Sequence, residues 1–224
     1  MPTSGTTAFN LDFTEIAEEA WERAGRIMRS GYDLKTARRS MNLLTIEWQN
    51  RGINMWTIET GTIPLTSGVG EYDLPADIID VMDHVIRTGT GADQSDLTIN
   101  RISSSTYSSI PNKNSEGRPV QIWVRRLRDN PKVVFWPVPN NETYSFTYWY
   151  MRRIEDAGNG VETADANFRF LPALVAGLAY QLSMKDPDLM VRTQMLKSEY
   201  EQQFQLAGEQ DREKATLRLV PYRG

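Results

Sequence analysis

An α+β fold follows from three features of the sequence. Apolar residues recur at helical spacing between Asp12 and Gly52, at alternate positions from Ile53 to about Ile154, and at helical spacing again after Asp165. The turn formers Gly, Pro, Asn and Ser become frequent in the middle stretch. Helices, then strands, then helices is the order of an α+β chain. The expected architecture is an antiparallel helical bundle formed by the N- and C-terminal helix pairs, with an inserted antiparallel β-rich domain and an extended C-terminal arm. The expected boundaries are 1–52 for the arm and first helix pair, 53–160 for the β-rich domain, 161–210 for the second helix pair and 211–224 for the docking arm. A chain of 224 residues is long enough to bury a substantial core.

Taken in order, residues 1–11 are small and polar and read as a loose arm. Asp12 and Glu15 have capping-box spacing. Phe13, Ile16, Ala17, Ala20, Trp21, Ala24, Ile27 and Met28 then share a helical face, with Gly31 as the expected terminator. Asp33 is the expected cap of a second helix along Leu34, Ala37, Met41, Leu44 and Trp48, ended by Gly52. Expected strands are Met55–Thr60, Gly61–Leu65, Glu71–Leu74, Met82–Thr88, Leu97–Ile102, Val120–Leu127, Lys132–Pro137 and Thr143–Ile154. Asp129-Asn130-Pro131 and Pro139-Asn140-Asn141 read as hairpin turns, which makes the last three strands a meander. Residues 103–118 read as a polar, Ser-rich loop with little to bury, exposed or touching a partner. Pro172 suits the first turn of a helix along Leu174, Val175, Leu178, Ala179 and Leu182. Asp186-Pro187 reads as the cap and first residue of a last helix.

Composition excludes several chemistries. With no cysteine there are no disulfides, thiolate nucleophiles, zinc–thiolate sites or iron–sulfur clusters. A net charge of -4 does not suit a protein whose whole surface grips nucleic acid. No apolar run approaches the roughly 20 residues of a spanning helix. The first residues lack the pattern of a signal peptide, so a soluble chain made in the cytoplasm, without membrane contact, is expected. No Walker loop, GxSxG elbow or dinucleotide fingerprint is present.

The single histidine, His84, follows Asp77, Asp80 and Asp83 at a spacing that fits no ligand motif, and a half-buried strand is the preferred reading. Glu155 and Asp156 are adjacent at a strand exit and read as solvated rather than as a hydrolytic pair. Gly89–Asp96 has calcium-like oxygens without EF-hand spacing. No catalytic, cofactor-binding or metal-binding residue is therefore assigned. Arg125, Arg126, Arg128, Arg152 and Arg153 interleave with Trp123, Trp136, Tyr148, Trp149 and Tyr150. That pattern suits a nucleic-acid or protein contact, but neighbouring arginines on a strand point to opposite faces and split the patch. After Asp211 the chain is basic and apolar, and either docks back on its own domain or inserts into a neighbour.

Phe146–Gly158, the helix Ala173–Leu182, the ending Asp211–Arg223, and the pairing of Arg118–Leu127 with Lys132–Pro139 together resemble the head-to-tail adaptor, or tail accessory factor, proteins of podoviruses. Trp21, and Trp48 ahead of Arg51-Gly52-Ile53-Asn54, are similar too. The likeness covers nearly the whole chain, except 89–117. It implies a virion structural protein and no enzyme. The implied assembly is a homo-oligomeric ring, usually a dodecamer, that joins the portal protein to the tail nozzle protein. Viral DNA would cross its lumen without specific binding. It also implies a C-terminal segment that reaches the portal. Arg212, Lys214, Leu217, Arg218, Leu219, Val220, Pro221, Tyr222 and Arg223 are the expected portal contact. Other roles compatible with the sequence are a tail-associated cell-wall hydrolase, a nucleic-acid-binding module, and a head-completion protein of a long-tailed phage.

Overall fold

The computed structural model describes residues 4–6, 9–52 and 55–211. In chain order its elements are α1 (Phe13–Ala24), α2 (Gly31–Arg51), β1 (Ile58–Pro64), β2 (Glu71–Asp73), β3 (Ile78–Thr88), β4 (Ser95–Thr98), β5 (Asn100–Arg101), α3 (Ser104–Ser108), β6 (Glu116–Gly117), β7 (Gln121–Arg125), β8 (Lys132–Trp136), β9 (Val138–Pro139), β10 (Tyr144–Arg152), α4 (Leu171–Ser183) and α5 (Met190–Gln210). The class is α+β. The chain divides into a helical unit, up to Trp56 and from Ile154 onward, and a β unit, Thr57–Arg153.

In the helical unit, α1 starts with the capping box read from the sequence: the Asp12 carboxylate accepts from the Glu15 N–H, and the Glu15 carboxylate accepts from the Asp12 N–H. It ends earlier than expected. Gly25 takes a φ of 102°, a left-handed geometry that L side chains resist, and its N–H closes the last turn on Trp21 and Glu22. Ile27 and Met28 thus lie beyond the helix, and Ile27 is exposed. The cap of α2 is Ser30, not Asp33. Asp33 is the third residue, whose carboxylate returns to the Ser30 N–H, so Gly31 opens α2 instead of closing α1. Gly52 ends α2 in the left-handed conformation, as expected.

The centre of this unit is α4. Its sequence offers almost no polar face, and ten of its thirteen residues are buried. Such a helix must be covered from all sides, and α1, α2 and α5 each pack against it. Small residues set the distances. A Cβ built on Gly177 would stand 2.9 Å from both Leu44 Cδ2 of α2 and Tyr200 Cε2 of α5. Around this contact, Trp48 Nε1 donates to Tyr200 Oη at 3.0 Å, and that hydroxyl donates to Glu47. Arg51 pairs with Glu47 and Glu201 and lies 4.6 Å over the Phe204 ring. Burial pushes the Tyr200 phenol well above its usual range.

The β unit holds two four-stranded sheets and a two-stranded pair. The orders are β1-β10-β3-β4, all antiparallel, and β2-β8-β7-β5, in which β5 and β7 run parallel; β6 and β9 form a parallel pair. Phe135 of β8 meets Phe146 of β10 edge to face at 5.0 Å, joining both sheets in one core with Ile86, Ile122, Val133 and Tyr148. Opposite Tyr148 stands Gly61, where a Cβ would lie 2.4 Å from the phenol ring. The tyrosine therefore folds across β1, and only glycine leaves it room.

Several strand expectations change. One strand, Ile58–Pro64, replaces the two expected over 55–65, and a 3₁₀ turn occupies Met55–Thr57. Leu97–Ile102 is broken at Ile99 into β4 and β5, which belong to different sheets. The meander is also corrected. β7 and β8 form a hairpin, but β10 crosses to the other sheet between β1 and β3, so Pro139-Asn140-Asn141 is not a hairpin turn. The stretch 103–118 contains α3, capped by Ser103, and β6. It is pinned to the sheet by a Tyr107–Trp123 stack at 5.0 Å and by Trp136 Nε1 donating to the Asn112 carbonyl.

The close contact at Gly177 gives a test. Gly177→Ala should destabilise the protein by about 1–3 kcal/mol through overpacking. Gly31→Ala, where a Cβ meets nothing within 4 Å, should be neutral or stabilising by up to about 1 kcal/mol. Denaturant titration of both variants measures the difference.

Candidate interaction surfaces

The residues singled out for chemistry do not converge. His84 lies on β3 opposite Tyr148, with its ring 6.1 Å from Phe146. Both ring nitrogens are buried, and among the described residues neither makes a hydrogen bond of good geometry, although the Ile99 backbone still favours the protonated ring. No serine or carboxylate is thus engaged as a triad would require. Burial holds its pKa below the ordinary imidazole value, assisted by Arg101 and opposed by the Ile99 backbone and Asp83. Asp80 accepts from Arg101 at 2.8 Å and pairs with Arg126, while the Asp77 carbonyl accepts from the Arg153 N–H. Among the described residues no group of three or more His, Asp or Glu could hold a metal ion, Gly89–Asp96 included. Glu155 and Asp156 are both exposed, and Asp156 uses its carboxylate to close a turn on the Gly158 N–H.

The strand arginines are mostly neutralised in place. Arg125 pairs with Glu71 at 3.0 Å and lies over Trp123, Arg126 pairs with Asp80, and Arg152 pairs with Glu59 at 2.7 Å. A phosphate would have to compete with a carboxylate at each of them. The side chains of Arg125 and Trp123 instead extend the Tyr107 stack, with Lys113 over the Tyr107 ring.

The helical unit carries two concave surfaces of interest. One is a groove of about 580 Å³ between α1 and the start of α4. Leu11, Leu171, Pro172 and Val175 contribute its apolar lining, and the exposed rings of Phe9 and Phe168 add to it. Glu15, Glu18, Glu19 and Glu22 line it from α1, together with Arg23, the one cation of the lining. This acidic row comes from the helical spacing of the sequence itself, on the side of α1 flanking its buried stripe. The chain enters this region through a backbone tie, with the Phe13 N–H donating to the Glu162 carbonyl and the Thr14 N–H to Gly160.

A second groove runs beside α2 and the α4–α5 turn, lined by Tyr32, Arg39, Leu43, Lys185 and Pro187 among others. Lys185 donates to the Ser40 hydroxyl, and burial lowers its pKa. Further apolar side chains stand out on the same helices: Ile46 on α2, and Val191 and Met195 one turn apart on α5, with Val191 93% exposed. Solvated side chains of this kind, close together on a helix, are the composition of contact surfaces.

The expected portal-contact residues Arg212, Lys214, Leu217, Arg218, Leu219, Val220, Pro221, Tyr222 and Arg223 lie outside the described residues. The α1–α4 groove was not singled out from the sequence. Its glutamates could have been found from the helical pattern, but Phe168, Leu171 and Pro172 join them only through the fold. No helix among the described residues is long and apolar enough to cross a membrane.

The family model described as SU10 adaptor protein matches residues 11–221, which takes in both units and the tail as far as Pro221. No curated protein matches the chain. The chain belongs to the SU10 adaptor protein family. It is accordingly a phage adaptor, a structural component of the virion.

Burial of the imidazole makes stability depend on pH. The unfolded chain protonates His84 near pH 6.5, whereas the folded chain does so only at lower pH. The unfolded state then binds more protons, and stability is lost as pH falls below about 6.5. His84→Gln should lose less stability than the parent between pH 7.5 and 5.5, measured by denaturant midpoints.

Proposed function

We propose that this adaptor is the head-to-tail connector of a short-tailed bacteriophage, forming a ring that joins the portal protein to the tail nozzle protein. The observation that carries the reading is the family match over residues 11–221, a range that takes in the helical frame, the β unit and most of the basic–apolar tail. In this reading Arg212, Lys214, Arg218 and Arg223 pair with portal carboxylates or carbonyls, and Leu217, Leu219, Val220, Pro221 and Tyr222 fill apolar grooves.

Ring closure needs two different surfaces on each copy, repeated by rotation. The exposed apolar side chains of α2 and α5 support this role, because a lone subunit leaves them in water. A rigid helical unit, packed without slack around α4, suits the wall of such a ring. The net charge of -4 is compatible with DNA sliding through a lumen rather than being held there. No described arrangement favours the hydrolase reading, since Glu155 and Asp156 are solvated.

Deletion of 211–224 should abolish capture by the portal in a pull-down while leaving the far-UV circular dichroism almost unchanged. Full portal binding by the truncated chain would rule out the tail as the contact. Electron microscopy of the portal mixed with the full chain should show an added ring of density.

A further inference from the structure

We propose that the groove between α1 and α4 is the docking site of this chain's own C-terminal tail, residues 212–224, held there until a partner draws it out. The proposal deepens the portal reading, since it states where the same tail sits before the portal is met.

Charge is the first argument. Glu18 and Glu22 lie one turn apart on the groove rim, and no cation pairs with either among the described residues. Like charges at this spacing repel and disfavour the helix. Their neighbours are already committed: Glu15 closes the α1 cap, and Glu19 pairs with Arg23, which also reaches Glu199. With Arg23 the one cation in the lining, the groove is net acidic over an apolar floor, and it complements a partner that is both basic and apolar. The tail is such a segment. Residues 212–224 hold four cations, Arg212, Lys214, Arg218 and Arg223, against the single carboxylate of Glu213. Leu217, Leu219, Val220, Pro221 and Tyr222 supply the apolar side chains.

Reach is the second argument. α5 packs against the 3₁₀ turn Phe168–Phe170, and Phe204 lies 6.5 Å from Phe170 between ring centroids. Phe168, in the same turn, lines the groove. From Phe204 to the end of α5 is about 9 Å of helix at 1.5 Å per residue. The 13 residues that follow Asp211 extend up to roughly 43 Å. That length is enough to span from the end of α5 to the groove, so docking within one chain requires no second copy. The groove's volume falls within the range of ligand-binding clefts, roughly 300–1,000 Å³.

The chain has no cysteine, so a single introduced pair reports the contact in the full-length protein without background. The test pairs are Glu22→Cys with Leu219→Cys, and Phe168→Cys with Leu219→Cys, the second leaving all four groove glutamates intact. The control pair is Ile46→Cys with Leu219→Cys, on the exposed face of α2. Under mild oxidation at low protein concentration, both test pairs should form an intramolecular disulfide about tenfold faster than the control, because docking raises the local concentration of the tail. Glu18→Lys in the Phe168 pair should slow it several-fold, and so should added salt. Equal rates in test and control pairs would overturn the proposal, and disulfide-linked dimers as the main product would assign the groove to a second copy instead. Circular dichroism of each variant checks that the fold is kept. Portal capture is scored separately, so a tail that docks in the groove but is not needed for portal binding would reject the portal reading alone.

Discussion

The helical unit depends on the burial of α4 from every side. A helix with almost no polar face cannot rest on a surface; it must be wrapped. Small side chains at Ala173, Ala176, Gly177 and Ala179 let its neighbours approach closely, and the large side chains come from those neighbours: Trp48, Tyr200, Phe204 and, just ahead of the helix, Phe170. The consequences run outward. Because α2 and α5 are held against the same glycine, Trp48 and Tyr200 meet, and the buried indole N–H finds its acceptor. That hydroxyl in turn fixes Glu47, and Glu47 fixes Arg51 at the end of α2. Polar groups at the edge of this core are thus satisfied only if its centre is tightly packed.

Much of the helical unit was legible because its signals are local. The Asp12 box, the Gly52 cap and Pro172 in a first turn each lie within a few residues of the backbone they organise, whereas Asp186 caps the 3₁₀ turn Pro187–Leu189 that precedes α5 rather than α5 itself. The error between α1 and α2 was also local: Ser30 and Asp33 carry the spacing of a capping box, and Gly25 was available as a terminator. In the β unit the strand segments were readable, but their partners were not. β10 sits between β1 and β3, pairing with residues some sixty to ninety positions away, while Phe146 packs on Phe135 of the other sheet. A turn-rich Pro139-Asn140-Asn141 looks the same whether it reverses a hairpin or carries the chain to another sheet.

The candidate surfaces show the same division. The charge of α1 could be read along its own sequence, while the apolar partner wall from Phe168 to Val175 reaches it only through the packing of α4. The arginine and aromatic interleaving of β7 and β10 invited a nucleic-acid reading. Folding brings Glu71, Asp80 and Glu59 against those arginines, so the positive charge is largely spent inside the β unit. Sequence patterns report which residues are charged; only pairing decides which charges remain available to a partner.

The pairing of β1 with β10 has a consequence for how the chain is organised. Ile58 and Met151 are cross-strand neighbours, so the polypeptide enters and leaves the β unit side by side. To the helical unit, the whole of the β unit is then equivalent to a short closed loop, with ends only about 5 Å apart. A module inserted in this way returns the chain beside the point where it left. Adjacent entry and exit strands of this kind are the geometry that tolerates insertion of a domain within another.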